Sequence, residues 1–298
     1  AFITRAYAMA AWALPVCVLL VLGFAIASTL VLRKRDNNTS YADWNITWQD
    51  LVQSSWNHHE RVSFPLLVAR VAVAVFCAGV VAQQLFHAWG NGNSWPLAFF
   101  TVWNFIMLTG YFCLGSFFSI QAYRQQGPYR GDSRAVVTSK GRIMLVLFEV
   151  SLPMTFLVDV VLWVILYPTT DDASFLLEFT SIVQHGVNAG FMLAELAMNR
   201  LTLRRAHVLF VVLWACLYAV FAWIMHAAAN FYAYDFLDTS VPEAPLWYVG
   251  LLVAHVLFYA LACALSWAKE RWLLDTKDAE TSLLPADTAE LAPSSKVC

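Results

Sequence analysis

Seven predominantly apolar stretches divide the chain, near Ala6 to Leu32, Phe64 to His87, Trp95 to Tyr123, Ile143 to Tyr167, Phe175 to Met198, His207 to Phe231 and Leu246 to Trp272. Each is long enough to cross a hydrocarbon layer of about 30 Å, which takes roughly 20 helical residues. The second and fifth are the least uniform. In the fifth, Glu178, Ser181, His185, Asn188 and Glu195 fall within an arc of roughly 100° when advanced by about 100° per residue. Ionisable side chains at the centre of a membrane helix cost about 2.5 to 3.5 kcal/mol on insertion scales, so such a stripe faces a bundle interior or a wet cavity. The pattern predicts an all-α fold, a polytopic membrane helix bundle with seven transmembrane helices.

Composition supports that class: of 298 residues, 60% are apolar, 15% aromatic and only 13% charged. The net charge of -2 says little, but its distribution says more. Arg33, Lys34, Arg35, Arg61 and Arg70 flank the first long loop, and Arg124, Arg130, Arg134, Lys140 and Arg142 fall in the third. Arg200, Arg204 and Arg205 lie in the fifth, and Lys269, Arg271, Lys277 and Lys296 follow the last stretch; Arg5 alone is left for the other side. The opposite loops, HAWGNGNSW, PTTDDAS and YDFLDTSVPEAP, hold acids and no Lys or Arg. By the positive-inside rule the N-terminus is outside and the C-terminus cytosolic.

The first stretch is expected to remain as an anchor, because its basic cluster follows the apolar run instead of preceding it. The domain organisation is then a seven-span membrane domain over 1–272 and a disordered cytosolic tail over 273–298. Within the cytosolic loop 33–63, Trp44, Trp48, Leu51, Val52, Ser55 and Trp56 recur at helical spacing and predict an interfacial amphipathic helix. Asn37, Asn38 and Asn45 begin glycosylation sequons, but the charge pattern puts them in the cytosol. Of the six cysteines, Cys17, Cys77, Cys113, Cys216 and Cys263 lie inside spans and Cys298 ends the chain, so no outer disulfide framework is expected.

Rise per residue and alternating direction divide the polar residues by depth. Thr101, Asn104, Asp159, His185, His226 and His255 fall in the outer half, and Arg70, Glu149 and Glu195 in the inner half. The inner set reads as a structural ion pair or triad, Arg70 with Glu149 or Glu195. The outer set supplies a hydroxyl, imidazoles, a carboxylate and amides, the groups of a nucleophile, its base and an orienting acid. Interhelical hydrogen bonding would use the same residues. His185, His226 and His255 lack close ligand spacing, so no metal or other cofactor is expected, nor a nucleic-acid partner.

Several membrane classes lack their signs. There is no Walker motif, no selectivity-filter run and no evident pair of broken spans in inverted halves. The third span ends QAYRQ without an Asp-Arg-Tyr sequence, and the seventh has no Asn-Pro-x-x-Tyr turn, so the receptor signatures are missing too.

The phrases FTVWNFIMLTGYF, VQHGVNAGFMLAEL and LYAVFAWIMHAAANFYAYDFLD, in that order, resemble the rolling stone branch of the androgen-induced protein superfamily, over about Trp95 to Trp272. That resemblance implies a multi-pass membrane fold. In the androgen-induced branch it implies hydrolysis of fatty acid esters of hydroxy fatty acids by an intramembrane Thr and His. The family Thr maps onto Thr101. The family segment Asn-His-Gly-x-His reads here Gln184, His185, Gly186, Val187, Asn188, so an amide stands at the catalytic His position and His185, or His226, is left to act as base. Rolling stone proteins are associated with cell fusion in muscle development.

The expected function is therefore a multi-pass protein of the rolling stone type, membrane-organising or otherwise non-enzymatic, residing in the plasma membrane or an endomembrane. It would carry a lipid-accessible outer-half polar pocket bounded by Asn104, Asp159, Asn188 and His226, and accept a fatty-acid-like ligand from the bilayer. The alternatives are a Thr-dependent lipid ester hydrolase using Thr101 and His185, and a proton-coupled transporter or sensor using Asp159, His185 and Glu195. The oligomeric state stays open.

Overall fold

The structure, a computed structural model, describes residues 12–38, 46–56, 63–91, 95–124, 139–170 and 173–282. Its long elements are helices α1 (Ala13–Asn38), α3 (Phe64–Asn91), α4 (Phe100–Arg124), α5 (Ser139–Thr169), α6 (179–198), α7 (Val208–Ala229) and α8 (Ala244–Ser282). A short helix α2 (Trp48–Val52) lies between α1 and α3. Helix satisfies every backbone group within the segment, which is what a chain this apolar requires where water is absent. Six of these helices, all but α2 and α6, are long and apolar enough to cross a membrane. Helix α6, which carries Ser181, His185, Asn188 and Glu195 of the polar stripe, is kinked at His185.

Helices α4 and α5 form the centre and are the most buried of the six, while α1 is the least. α4 packs on α3 and α5, α5 on α6 and α8, and α1 on α7 and α8. Two apolar cores result. One joins Phe105, Tyr111, Phe112, Phe148, Met192 and Leu196. The other joins Phe100, Met154, Leu157, Val211, Tyr218 and Tyr248. Large apolar side chains such as Val75, Phe86, Val164, Ile224 and Leu257 cover the outside. That is the inverse of a water-soluble surface and suits lipid contact.

α5 runs on through Pro153, then widens to π geometry over Val161–Leu166. α6 does the same over Val183–Val187, where His185 leaves helical dihedrals (φ -132°, ψ 30°). The two widened turns touch, since Trp163 Nε1–H donates to the His185 carbonyl at 2.6 Å. π segments occur mostly as single wide turns and cluster at functional sites. They also break the 100° arithmetic on which the single-arc stripe rests.

Two expectations change here. The loop helix α2 is only five residues and packs into the bundle with Leu51 0% and Val52 3% exposed. It starts from a capping box in which Thr47 and Asp50 satisfy each other's end groups. Ser54 then forms an isolated antiparallel bridge with Asn199, and the Ser55 hydroxyl donates to the Asn199 carbonyl. Helix α8 continues past Trp272 to Ser282, so the first part of the expected tail is helical. Trp44, Asn45 and 283–298 lie outside the described residues.

Candidate functional site

The inner polar residues form a closed network. Arg70, 0% exposed, gives Nε–H (3.0 Å) and Nη2–H (2.6 Å) to Glu195 Oε1. Its Nη1 donates to the Leu51 carbonyl (2.6 Å) and to Ser119 Oγ (3.1 Å). The same Glu195 oxygen accepts from Tyr111 (2.6 Å) and Asn199 Nδ2 (3.2 Å). A buried charge is tolerable only when it is paired and its remaining hydrogen bonds are made, and here both conditions hold. Gly115 makes room for the guanidinium, since a Cβ there would stand 3.3 Å from Arg70 Cδ and Nε and 3.1 Å from Met144 Cε.

Glu149 does not join this network. Its Oε1 accepts from the Arg204 N–H at 2.9 Å and its Oε2 bonds His207 Nδ1. The reason is position: Glu149 faces the loop that leads into α7, whose first backbone donors and whose imidazole satisfy it. The ion pair is Arg70 with Glu195, and the triad is corrected accordingly.

In the other half, two cavities meet. The first, about 90 Å³, is apolar, walled by Leu157, Val158, Leu251 and Leu252 together with Tyr218, Tyr248 and His255. Phe24 and Val249, each 41% exposed, are also on its wall, so it approaches the outside between α1 and α8. The second, about 830 Å³, is more polar and is bounded by Gln84, His87, Thr180, Ser181 and Gln184, with Glu178 and Asp235 as its carboxylates. No Lys or Arg is among its described walls. Thr101, Leu166, His185 and Tyr234 line both cavities and therefore form the partition.

The three polar partition residues are each placed by a local feature. Thr101 sits in the first turn of α4, where backbone N–H groups have no helical acceptor. Tyr234, from the loop between α7 and α8, stands beside Thr101 on the partition, and burial pushes its phenol above the ordinary value. His185 Nδ1 lies 3.1 Å from the Val158 carbonyl, which only a donor can satisfy. That fixes Nε2 as the acceptor of the ring, the tautomer a general base requires.

The remaining expected pocket residues are committed elsewhere. Asn104 donates to the Phe100 carbonyl (2.9 Å) and accepts from Trp214 Nε1 (2.9 Å), so it ties α4 to α7. Asn188 lies beside the Asp159 carboxyl and its Oδ1 accepts from the Ala189 N–H at 2.8 Å. His226 stacks on Tyr232 with ring centroids 4.1 Å apart. None of these four is among the residues that line either cavity, and Asp159 Oδ1 and His226 Nδ1 are buried without a hydrogen-bond partner among the described residues. Conversely, Tyr218, Tyr234 and Tyr248 are cavity residues that periodicity does not single out, Tyr234 because it comes from a loop and the other two because tyrosine is common in apolar spans.

No known protein family, curated protein or solved structure matches the chain.

Proposed function

We propose that this is a seven-span membrane protein of the rolling stone type, N-terminus outside, whose divided outer-half cavity holds a lipid-like amphiphile without transforming it. The polar end of the ligand lies in the larger cavity and its hydrocarbon end in the apolar one. The observation that carries this reading is the shared wall: four residues belong to both cavities, so one molecule touching Thr101 and His185 reaches polar space on one side and apolar space on the other. A volume of about 830 Å³ lies in the range of small-ligand sites. The acid-bearing walls favour a neutral or cationic headgroup over an anionic one. Helix α6 counts as a seventh crossing because its start borders the polar cavity while its end holds Arg70 and Asn199.

Ester hydrolysis is the second reading, and one observation favours it: Thr101 and His185, a hydroxyl and an acceptor imidazole, share the partition. The Thr101 oxygen would attack an ester carbonyl while His185 Nε2 takes its proton and returns it to the departing alcohol, after which water releases the acid by the same steps. Against it stands Asn188 at the family's base position, an amide that accepts from the Ala189 N–H and has no basic nitrogen to take a proton from Thr101. Purified protein incubated with lipid esters and a fluorophosphonate probe separates the two. The binding reading predicts lipid bound but neither turnover nor labelling; turnover abolished by Thr101→Ala and by His185→Ala, with lipid still bound, would establish the hydrolase instead.

A further inference from the structure

One residue lining the apolar cavity, His255, carries an unused hydrogen-bond acceptor. His255 lies eleven residues into α8, about 16 Å along the helix at 1.5 Å per residue. It is 5% exposed and its ring packs 5.6 Å from Phe100. Its Nδ1 donates to the Leu251 carbonyl at 2.7 Å, so Nε2 carries the lone pair. That Nε2 is buried and has no hydrogen-bond partner among the described residues. The neighbouring hydroxyls do not supply one. Tyr218 donates to the Ala98 carbonyl (2.8 Å). Tyr248 donates to the Leu237 carbonyl (3.1 Å) while accepting from Trp223 (2.7 Å).

An orphaned buried acceptor costs about 1 to 3 kcal/mol, and among the described residues none of the cavity's other polar side chains, Thr101, His185 and Tyr234, hydrogen-bonds His255 Nε2. We infer that the cavity selects lipids whose otherwise apolar segment bears a hydroxyl, which donates its proton to His255 Nε2. A carboxylate or an ester carbonyl has no proton to give there. A hydroxylated acyl chain and a sterol both do, and the chemistry they share is an uncharged O–H carried on hydrocarbon. The inference rests on the proposed lipid cavity and narrows its ligand.

The test is displacement of a fluorescent monoacyl lipid from the purified full-length protein in neutral detergent. One pair of competitors is stearoyl glycerol with and without a hydroxyl on the chain; the other is cholesterol against cholestane. In at least one pair the hydroxylated member is expected to compete roughly tenfold better, the scale of one buried hydrogen bond. The pair that shows it identifies the source of the hydroxyl. His255→Leu, close in size, should make the two members of that pair compete equally, and His255→Gln, which keeps an acceptor near Nε2, should retain part of the preference. Equal competition within both pairs on the unaltered protein overturns the inference and leaves the cavity standing. Failure of the fluorescent lipid and every competitor to bind overturns both.

Discussion

At the scale of single residues, the strongest constraint is the charge buried between α3 and α6. Removing the carboxylate with Glu195→Ala leaves the Arg70 guanidinium unpaired at 0% exposure, and the expected loss is about 3 to 5 kcal/mol. Thermal unfolding in detergent, or loss of the monodisperse species where unfolding is complete, measures it. The double variant Arg70→Met with Glu195→Leu is expected to be less damaged than Glu195→Ala, because no lone charge remains. Equal damage would show that the pair is not what holds these helices. Gly115→Ala should cost about 1 to 3 kcal/mol by the same assay, since the new methyl meets Arg70 and Met144. Much of this was legible in the sequence: Arg70 and Glu195 stand out as ionisable groups in apolar spans at similar depth. Which carboxylate takes Arg70 was not legible, because His207 and the Arg204 N–H that claim Glu149 belong to a loop whose path periodicity does not give.

At the scale of elements, the widened turns of α5 and α6 explain why one polar stripe serves three purposes. Advancing a regular helix puts Glu178, Ser181, His185, Asn188 and Glu195 on one face, yet in the structure Glu178, Ser181 and His185 border cavities, Asn188 meets Asp159 and Glu195 meets Arg70. The stripe itself is plain in the sequence, while the phase change inside it is not, since VQHGV has no residue that demands a π turn. Deleting Gly186 would rotate everything beyond it by about 100° and shift it by about 1.5 Å relative to residues before the turn. Cavity lining and ion pair then cannot both be kept, and size-exclusion chromatography should show loss of the folded species. Gly186→Ala should be tolerated, because no heavy atom lies within 4 Å of the added methyl. The loop 46–56 teaches the same lesson. Its Trp and Leu spacing signals an apolar face, but only the docking of Leu51 onto Arg70 and of Ser55 onto Asn199 tells whether that face meets lipid or protein.

At the scale of the whole molecule, the proposed orientation puts the polar cavity on the acid-bearing side and the Arg70 network beside the basic loops. Glycosylation mapping tests it: a sequon introduced at 238–242, in the loop before α8, should be modified in microsomes, and Asn45 should remain bare. The reverse pattern would invert the topology. The apolar cavity and its partition, built from α1, α4, α5, α6, α7, α8 and a loop, are the part least legible in the sequence, since no single helix face announces them. The central claim, that the divided cavity holds a lipid, is tested most directly by photo-crosslinking. A diazirine-bearing monoacyl lipid is added to the purified protein with and without excess unlabelled lipid, and the adducts are mapped by mass spectrometry. The account predicts competable adducts on Leu157, Val158, Leu251 or Leu252 inside the cavity. Adducts confined to outward-facing residues such as Val75, Phe86 and Leu257, unaffected by competitor, would contradict it.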